Sequence, residues 1–155
     1  MKIIYIENVR IPSERAHAYQ IVQTCAAWAR AGHEVTLVNP SRAGGKNALM
    51  FFGLEPELFT HVSLESFDPL SWRRVPDSLK AAAYVTQRWA FLHALRQWMI
   101  GRQADVWYTR DPAMVEALRV GVRKIVLELH DSPTSNLARW ERIKSRVSLF
   151  VAISK

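Results

Sequence analysis

Within its first 40 residues the chain passes through an apolar run (Lys2 to Ile6), a helical pattern (about Glu14 to Ala31), a glycine (Gly32) and a β-branched run (Val35 to Val38) stopped by Asn39-Pro40. Two strands joined by a helix in so short a span form a βαβ crossover, with parallel strands and right-handed winding. In the helical stretch Tyr19, Val22, Gln23, Ala26 and Ala29 or Arg30 share one face, and Ile21, Cys25 and Trp28 form a second apolar row, so the helix is broadly buried. Gly32 falls where a left-handed C-terminal cap is wanted.

The alternation continues along the chain. Residues around Phe51-Phe52-Gly53-Leu54 suit one or two helical turns, and His61 to Leu64 a third strand. The longest helical pattern runs from about Ser78 to Arg102, with Asp77 or Ser78 available as N-cap. In it Val85, Trp89, Leu92 and Met99 form one stripe, and Tyr84, Phe91, Leu95 and Trp98 another. Val106 to Thr109 reads as a fourth strand, and Asp111-Pro112 opens a helix to about Val120, ended by Gly121. Lys124 to Leu129 is a fifth strand, Asn136 to Lys144 a helix, and Ser148 to Ile153 a sixth strand. Runs such as Ile125-Val126-Leu127 and Leu149-Phe150-Val151 are apolar on both faces, as in a parallel sheet covered on both sides. The expected fold is α/β, a three-layer domain with a mostly parallel sheet. The sixth strand reads as central, yet Ile153-Ser154-Lys155 gives it no following helix.

Composition narrows the class. Of 155 residues, 49% are hydrophobic and 23% charged, with 6 Gly and 7 Pro, which excludes disordered, collagenous and low-complexity chains. The one cysteine, Cys25, cannot form an internal disulfide, so nothing calls for an oxidising compartment. No stretch approaches the ~18 apolar residues of a membrane span. The expectation is a soluble, cytoplasmic domain. Its +7 charge is uneven: 13 Lys/Arg face 11 Asp/Glu through Leu118, and 8 face 3 from Arg119 onward. Such a surplus attracts nucleic acid, anionic lipid or a phosphorylated small molecule, or simply solvates a face.

Several chemistries lose their main signal. There is no G-x-G-x-x-G after the first strand, no phosphate-binding G-x-x-x-x-G-K-[ST], no H-E-x-x-H, no cysteine cluster and no G-x-S-x-G. Three polar clusters remain, each just past the C-terminal end of an expected strand: Asn8 to His17, Thr109-Arg110-Asp111-Pro112, and Glu128-Leu129-His130-Asp131-Ser132. With the common strand order 3-2-1-4-5-6, ligands bind between strands 1 and 4, where the order reverses. The first two clusters then flank that crevice and the third lies beside it. Each has a plain structural alternative: His17 as a surface or capping residue, Arg110-Asp111 as an ion pair with a helix cap, His130-Asp131 as a turn. Around Ser13 to His17 a helix start adds backbone N–H groups that suit an anion.

These residues resemble a known family. The run Lys2 to His17 is similar to the opening of family 4 glycosyltransferases of the GT-B fold, and Ala31-Gly32-His33-Glu34-Val35-Thr36-Leu37-Val38 resembles their second-strand motif. Tyr108-Thr109-Arg110-Asp111-Pro112, Glu128-Leu129-His130-Asp131 and Val151-Ala152-Ile153-Ser154-Lys155 resemble their later blocks, in the same order. The resemblance covers essentially residues 1–155. It implies a Rossmann-like N-terminal, acceptor-side half of a two-domain enzyme, which transfers a sugar from a nucleotide sugar to an acceptor with retention of configuration. The nucleotide-sugar donor is then the expected ligand of the complete enzyme, with no metal required and a sugar or lipid-linked molecule as acceptor. His130 would approach the transferred sugar as the catalytic residue, and Arg10, Ser13, Glu14, His17, Arg110, Asp111 and Asp131 would line the cleft. Two departures stand out. Many members carry a Gly-Gly pair where this chain has Ser13-Glu14-Arg15-Ala16, and the donor-binding C-terminal domain is missing from these 155 residues, so the domain is expected to be inactive by itself.

A second reading is a binding module without catalysis. Arg88, Trp89, Arg96, Trp98 and Arg102, with Trp72-Arg73-Arg74, could contact an anionic membrane at its inner face, unless Trp89 and Trp98 belong to the core. Nucleic acid is not an expected partner, because the aromatics interleave with apolar rather than basic residues.

Overall fold

Ile3, Ile4, Tyr5 and Ile6 are all buried, so the first strand lies inside a sheet covered on both faces. The computed structural model describes residues 1–41, 48–71, 75–118, 124–130 and 136–152. Its strands are β1 (Lys2–Ile6), β2 (Glu34–Pro40), β3 (Thr60–Leu64), β4 (Val106–Thr109), β5 (Ile125–Leu129) and β6 (Leu149–Ala152). Its helices are α1 (Ala16–Arg30), α2 (Ala48–Phe51), α3 (Asp77–Trp98), α4 (Pro112–Ala117) and α5 (Leu137–Lys144). All strand pairs are parallel, in the order β3-β2-β1-β4-β5-β6. The order reverses between β1 and β4, as expected.

Side chains alternate along each strand and so divide the core in two. Ile4, Ile6, Val38, Trp107, Ile125 and Leu127 pack against Phe91 and Leu95 of α3, Met114 and Val115 of α4, and Ile143 of α5. Ile3, Tyr5, Val35, Leu37 and Tyr108 pack on the other face against Ala18, Ile21, Val22, Cys25 and Ala26 of α1 and Leu49 of α2. The fold is therefore a three-layer α/β, Rossmann-like domain with a parallel sheet in the middle.

Gly32 has φ +85° and follows α1 directly after its C-cap residue Ala31. A Cβ there would meet nothing within 4 Å. Replacement by alanine thus costs backbone strain only. Gly32→Ala is expected to lower stability by about 1 kcal/mol, seen as a lower urea midpoint at an unchanged slope.

Several local expectations need correction. α1 begins at Ala16 rather than Glu14, because Arg15 is extended at the N-cap, and the Ser13 hydroxyl accepts the Arg15 N–H at 3.3 Å. Tyr19 is exposed, so the buried face of α1 is the Ile21, Val22, Cys25, Ala26 side. The N-cap of α3 is Pro76, with no side-chain cap, and Asp77 instead lies 2.5 Å from Lys80. α4 is shorter than expected, because Leu118 is already extended. β6 is an edge strand rather than a central one: it pairs only with β5 among the described residues, and Leu149 and Phe150 remain exposed. Trp89 is 65% exposed, not part of the core stripe. α3 buries one row, Ala83, Gln87, Phe91 and Leu95, and the short 3-10 turn Pro69–Ser71 also packs against it. Trp98 does pack against the core, and its ring holds the Arg102 guanidinium at 4.6 Å. Gly44-Gly45, Trp72-Arg73-Arg74, Gly121, Asp131 and Ile153-Ser154-Lys155 lie outside the described residues.

Candidate functional site

The alternation that splits the core also sorts the polar residues past the strand ends. On the α1 face, Ile3 and Tyr5 of β1 lead to Glu7, Val106 and Tyr108 of β4 lead to Arg110, and Val126 of β5 leads to Glu128 and His130. These side chains meet. The Tyr108 hydroxyl donates to Glu128 Oε2 at 2.5 Å, and Arg110 Nε lies 3.3 Å from Glu128 Oε1. His130 Nε2 lies 2.8 Å from the same carboxylate oxygen and 2.6 Å from Arg110 Nε, whose neighbouring nitrogen is 3.1 Å from His130 Nδ1. A neutral imidazole nitrogen either accepts from Arg110 or donates to Glu128, so the position of one proton decides which partner holds the ring. The backbone N–H of Arg110 donates to Glu7 Oε2 at 3.1 Å, tying the end of β4 to the end of β1.

Burial tunes these groups. Arg110 and Glu128 expose only 12% and 8% of their side chains, so their ion pair is largely desolvated. The Glu7 carboxyl is pushed up to about 8, mainly by burial. The Arg110 backbone N–H opposes that rise and the Asp111 charge adds to it. At neutral pH Glu7 is therefore mostly protonated, and the acid that faces the Arg110 guanidinium is Glu128. Burial also raises the Tyr108 hydroxyl, helped by its bond to Glu128, which keeps it a neutral donor. His17, at the start of α1, is held below the usual histidine range by burial and by the charges of Arg15 and Arg110. It stands near the cluster as a neutral ring.

A second polar set lies on the α3 face. There Ile4 and Ile6 lead to Asn8, and Trp107 and Thr109 lead to Asp111. Asn8 and Gln87 exchange two amide hydrogen bonds, at 2.9 and 3.3 Å. Asp111 accepts the Ala113 N–H at 2.8 Å, capping α4, and lies 3.6 Å from Arg88 of α3. Arg110 and Asp111 are thus not paired with each other: neighbouring positions on an extended segment send their side chains to opposite faces.

Of the residues expected from sequence, Arg110 and His130 come together directly and His17 stands close by. Asp111 acts on the far face as a helix cap. Ser13 supports the turn before α1, and Arg10 and Glu14 are exposed on the same loop. Glu128 stands in the third polar cluster and Tyr108 in the block around Arg110, but sequence reasoning gives neither a part in the site and does not single out Glu7. Period-two counting past the end of each strand would have found them. Among the described residues no group of three or more His, Cys, Asp and Glu side chains could hold a metal ion.

A parallel sheet in this order, helices on both faces and a polar cluster at its reversal point define a Rossmann-like α/β domain. Comparison with solved structures finds that architecture. UGT73P12 of Glycyrrhiza uralensis, complexed with glycyrrhetinic acid 3-O-monoglucuronide, matches 84% of this chain with a TM-score of 0.61 at 14% identity. UGT89C1 of Arabidopsis thaliana, complexed with UDP, matches 99% with a TM-score of 0.63 at 12% identity. Sucrose-phosphate synthase from Thermosynechococcus elongatus matches 96% with a TM-score of 0.62 at 12% identity. The matched region makes up 28%, 45% and 41% of those chains, so this one spans less than half their length. No protein-family model and no curated protein sequence matches the chain.

Proposed function

We propose that this chain is the acceptor-side, N-terminal half of a retaining glycosyltransferase of the family 4 type, which transfers a sugar from a nucleotide sugar. The carrying observation is the convergence of Arg110, Glu128 and His130 at the sheet's reversal point, beside the start of α1. Sugar transfer develops positive charge on the sugar and negative charge on the leaving phosphate, and a site made of an imidazole, a guanidinium and backbone N–H groups has partners for the second. In this reading His130 approaches the transferred sugar. Glu128 and Arg110 fix its ring, and the loop bearing Arg10, Ser13, Glu14 and His17 faces the acceptor, a sugar or lipid-linked molecule. No metal is needed, and the donor's nucleotide is gripped by a second domain. The protein works in the cytoplasm, and this half turns over no substrate by itself.

The test compares this chain with the longer protein obtained by extending the reading frame into a second Rossmann-like domain, assayed with a panel of nucleotide sugars. The longer protein is expected to transfer sugar and the 155-residue chain is not. Turnover by the short chain would remove the claim that it is half an enzyme, and inactivity of both would remove the enzymatic reading. In the active form, His130→Ala is expected to lower kcat by about 100-fold or more with the melting temperature nearly unchanged, since the ring is on the surface of the cluster.

A further inference from the structure

Gln87 is the one polar residue in the row that α3 buries, between Ala83 and Phe91, and it is 1% exposed. An amide in that position costs free energy unless it is hydrogen-bonded. Its partner is Asn8, just past the end of β1: Gln87 Nε2 donates to Asn8 Oδ1 at 2.9 Å, and Asn8 Nδ2 donates to Gln87 Oε1 at 3.3 Å. The next residue of the helix, Arg88, reaches the other lip of the crevice, its Nη2 lying 3.6 Å from Asp111 Oδ1. The two lips are also joined directly, because Glu7 Oε2 accepts the Arg110 N–H at 3.1 Å. These contacts close a circuit. From Gln87 it runs to Asn8, along the chain to Glu7, across to Arg110, along the chain to Asp111, over to Arg88 and back to Gln87.

We propose that Gln87 and Arg88 are positioning residues, which brace both lips of the crevice from α3 and so hold Arg110, and through it His130, in place. A leucine at position 87 would continue the apolar row and bury more apolar surface. The amide instead fixes one arrangement, as fully satisfied buried polar groups do. Arg88 and Asp111 keep 26% and 20% of their side chains exposed, so their pair adds little to stability and much to geometry. Asp111 also accepts the Ala113 N–H, which ties the same lip to the start of α4. The brace acts on Arg110 through the backbone, since the Arg110 side chain lies on the α1 face and the Asp111 side chain on the α3 face. With either link to α3 removed, the freed lip is left hinged on the single bond between Glu7 and the Arg110 N–H. The brace belongs to this chain whatever its chemistry. Its value for sugar transfer rests on the function proposed above.

Gln87→Met keeps the length of the side chain and removes both amide bonds, and Arg88→Met removes the ion pair. In the 155-residue chain, hydrogen exchange of the Arg110 amide is expected to quicken about tenfold in each variant. Leu127, buried in the middle of β5, is the control, and its exchange should change only as far as urea unfolding says the whole fold has weakened. The His130 ring resonances are expected to shift in both variants, although His130 lies on the opposite face of the sheet. Adding Asn8→Leu to Gln87→Met should quicken Arg110 exchange no further, because both changes break the same link. Parent-like exchange at Arg110 with unmoved His130 resonances would overturn the brace. So would exchange quickened evenly over the sheet, which would make Gln87 an ordinary core residue. If Gln87→Met does not fold, Arg88→Met decides by the same readings, since Asp111 keeps its cap on Ala113. In the longer, active form each variant is expected to lower kcat about tenfold with KM little changed, and an unchanged kcat would remove the brace's part in catalysis. A parent that transfers no sugar removes the enzymatic reading, while Arg110 exchange still decides the brace.

Discussion

Arg110→Ala is expected to cost about 3–5 kcal/mol of folding stability, the range for breaking a buried ion pair from one side. The cost arises from what stays behind. Glu128 keeps 8% of its side chain in water and would lose the guanidinium 3.3 Å from its Oε1. The Tyr108 hydroxyl still donates to Oε2 and His130 Nε2 lies 2.8 Å from Oε1, but these hydrogen bonds do not replace the guanidinium charge. His130 would lose the guanidinium beside both of its ring nitrogens. Adding Glu128→Gln removes the stranded charge, so the double variant should recover much of the loss even though it contains one more substitution. Urea unfolding of the parent, the two single variants and the double variant closes the cycle. A loss below about 1 kcal/mol in Arg110→Ala would place the pair in the surface regime and remove it as the frame that orients His130.

The second large effect concerns pH. The folded-state Glu7 carboxyl titrates near 8, against an ordinary value of 4.5, chiefly because it is buried. In the unfolded chain it ionises at the ordinary value. Between these limits the folded state binds the extra proton, so stability falls as pH rises from about 4.5 through about 8 and then levels off. Glu7→Gln keeps an acceptor oxygen for the Arg110 N–H and cannot ionise. The variant is therefore expected to melt at nearly the parent's temperature at pH 4.5, and clearly higher at pH 9. In a protein of this size each kcal/mol is worth roughly 2–4 °C. If parent and variant melt in parallel across the whole range, Glu7 does not carry a raised pKa and is ionised in the folded state at neutral pH.

The fold was largely legible in the chain. Unbroken apolar runs such as Ile3 to Ile6 and Ile125 to Leu127 call for strands buried on both faces, and the strand–helix–Gly32–strand unit at the start dictates parallel pairing. The strand order expected, the common one of doubly wound sheets, is the order found. The site was legible in part. Arg110, Glu128 and His130 stand out in polar clusters after apolar strands, but Glu7 reads as an ordinary acid at a strand end. What makes them a cluster is register: Tyr108 pairs with Val126 and Tyr5 with Tyr108 across the sheet, so residues two further along each strand arrive at one spot.

The sequence by itself determined the α/β class, the positions of the strands and the segments that carry polar chemistry, because periodicity and turn residues act over a few positions. Only the tertiary structure decided which neighbours each surface has. It separated Arg110 from Asp111, moved β6 to the edge, and gave α3 one covered face while leaving Trp89 in water. Such outcomes depend on what packs from elsewhere in the chain. A helix apolar on two sides carries no local signal saying which side the sheet will take.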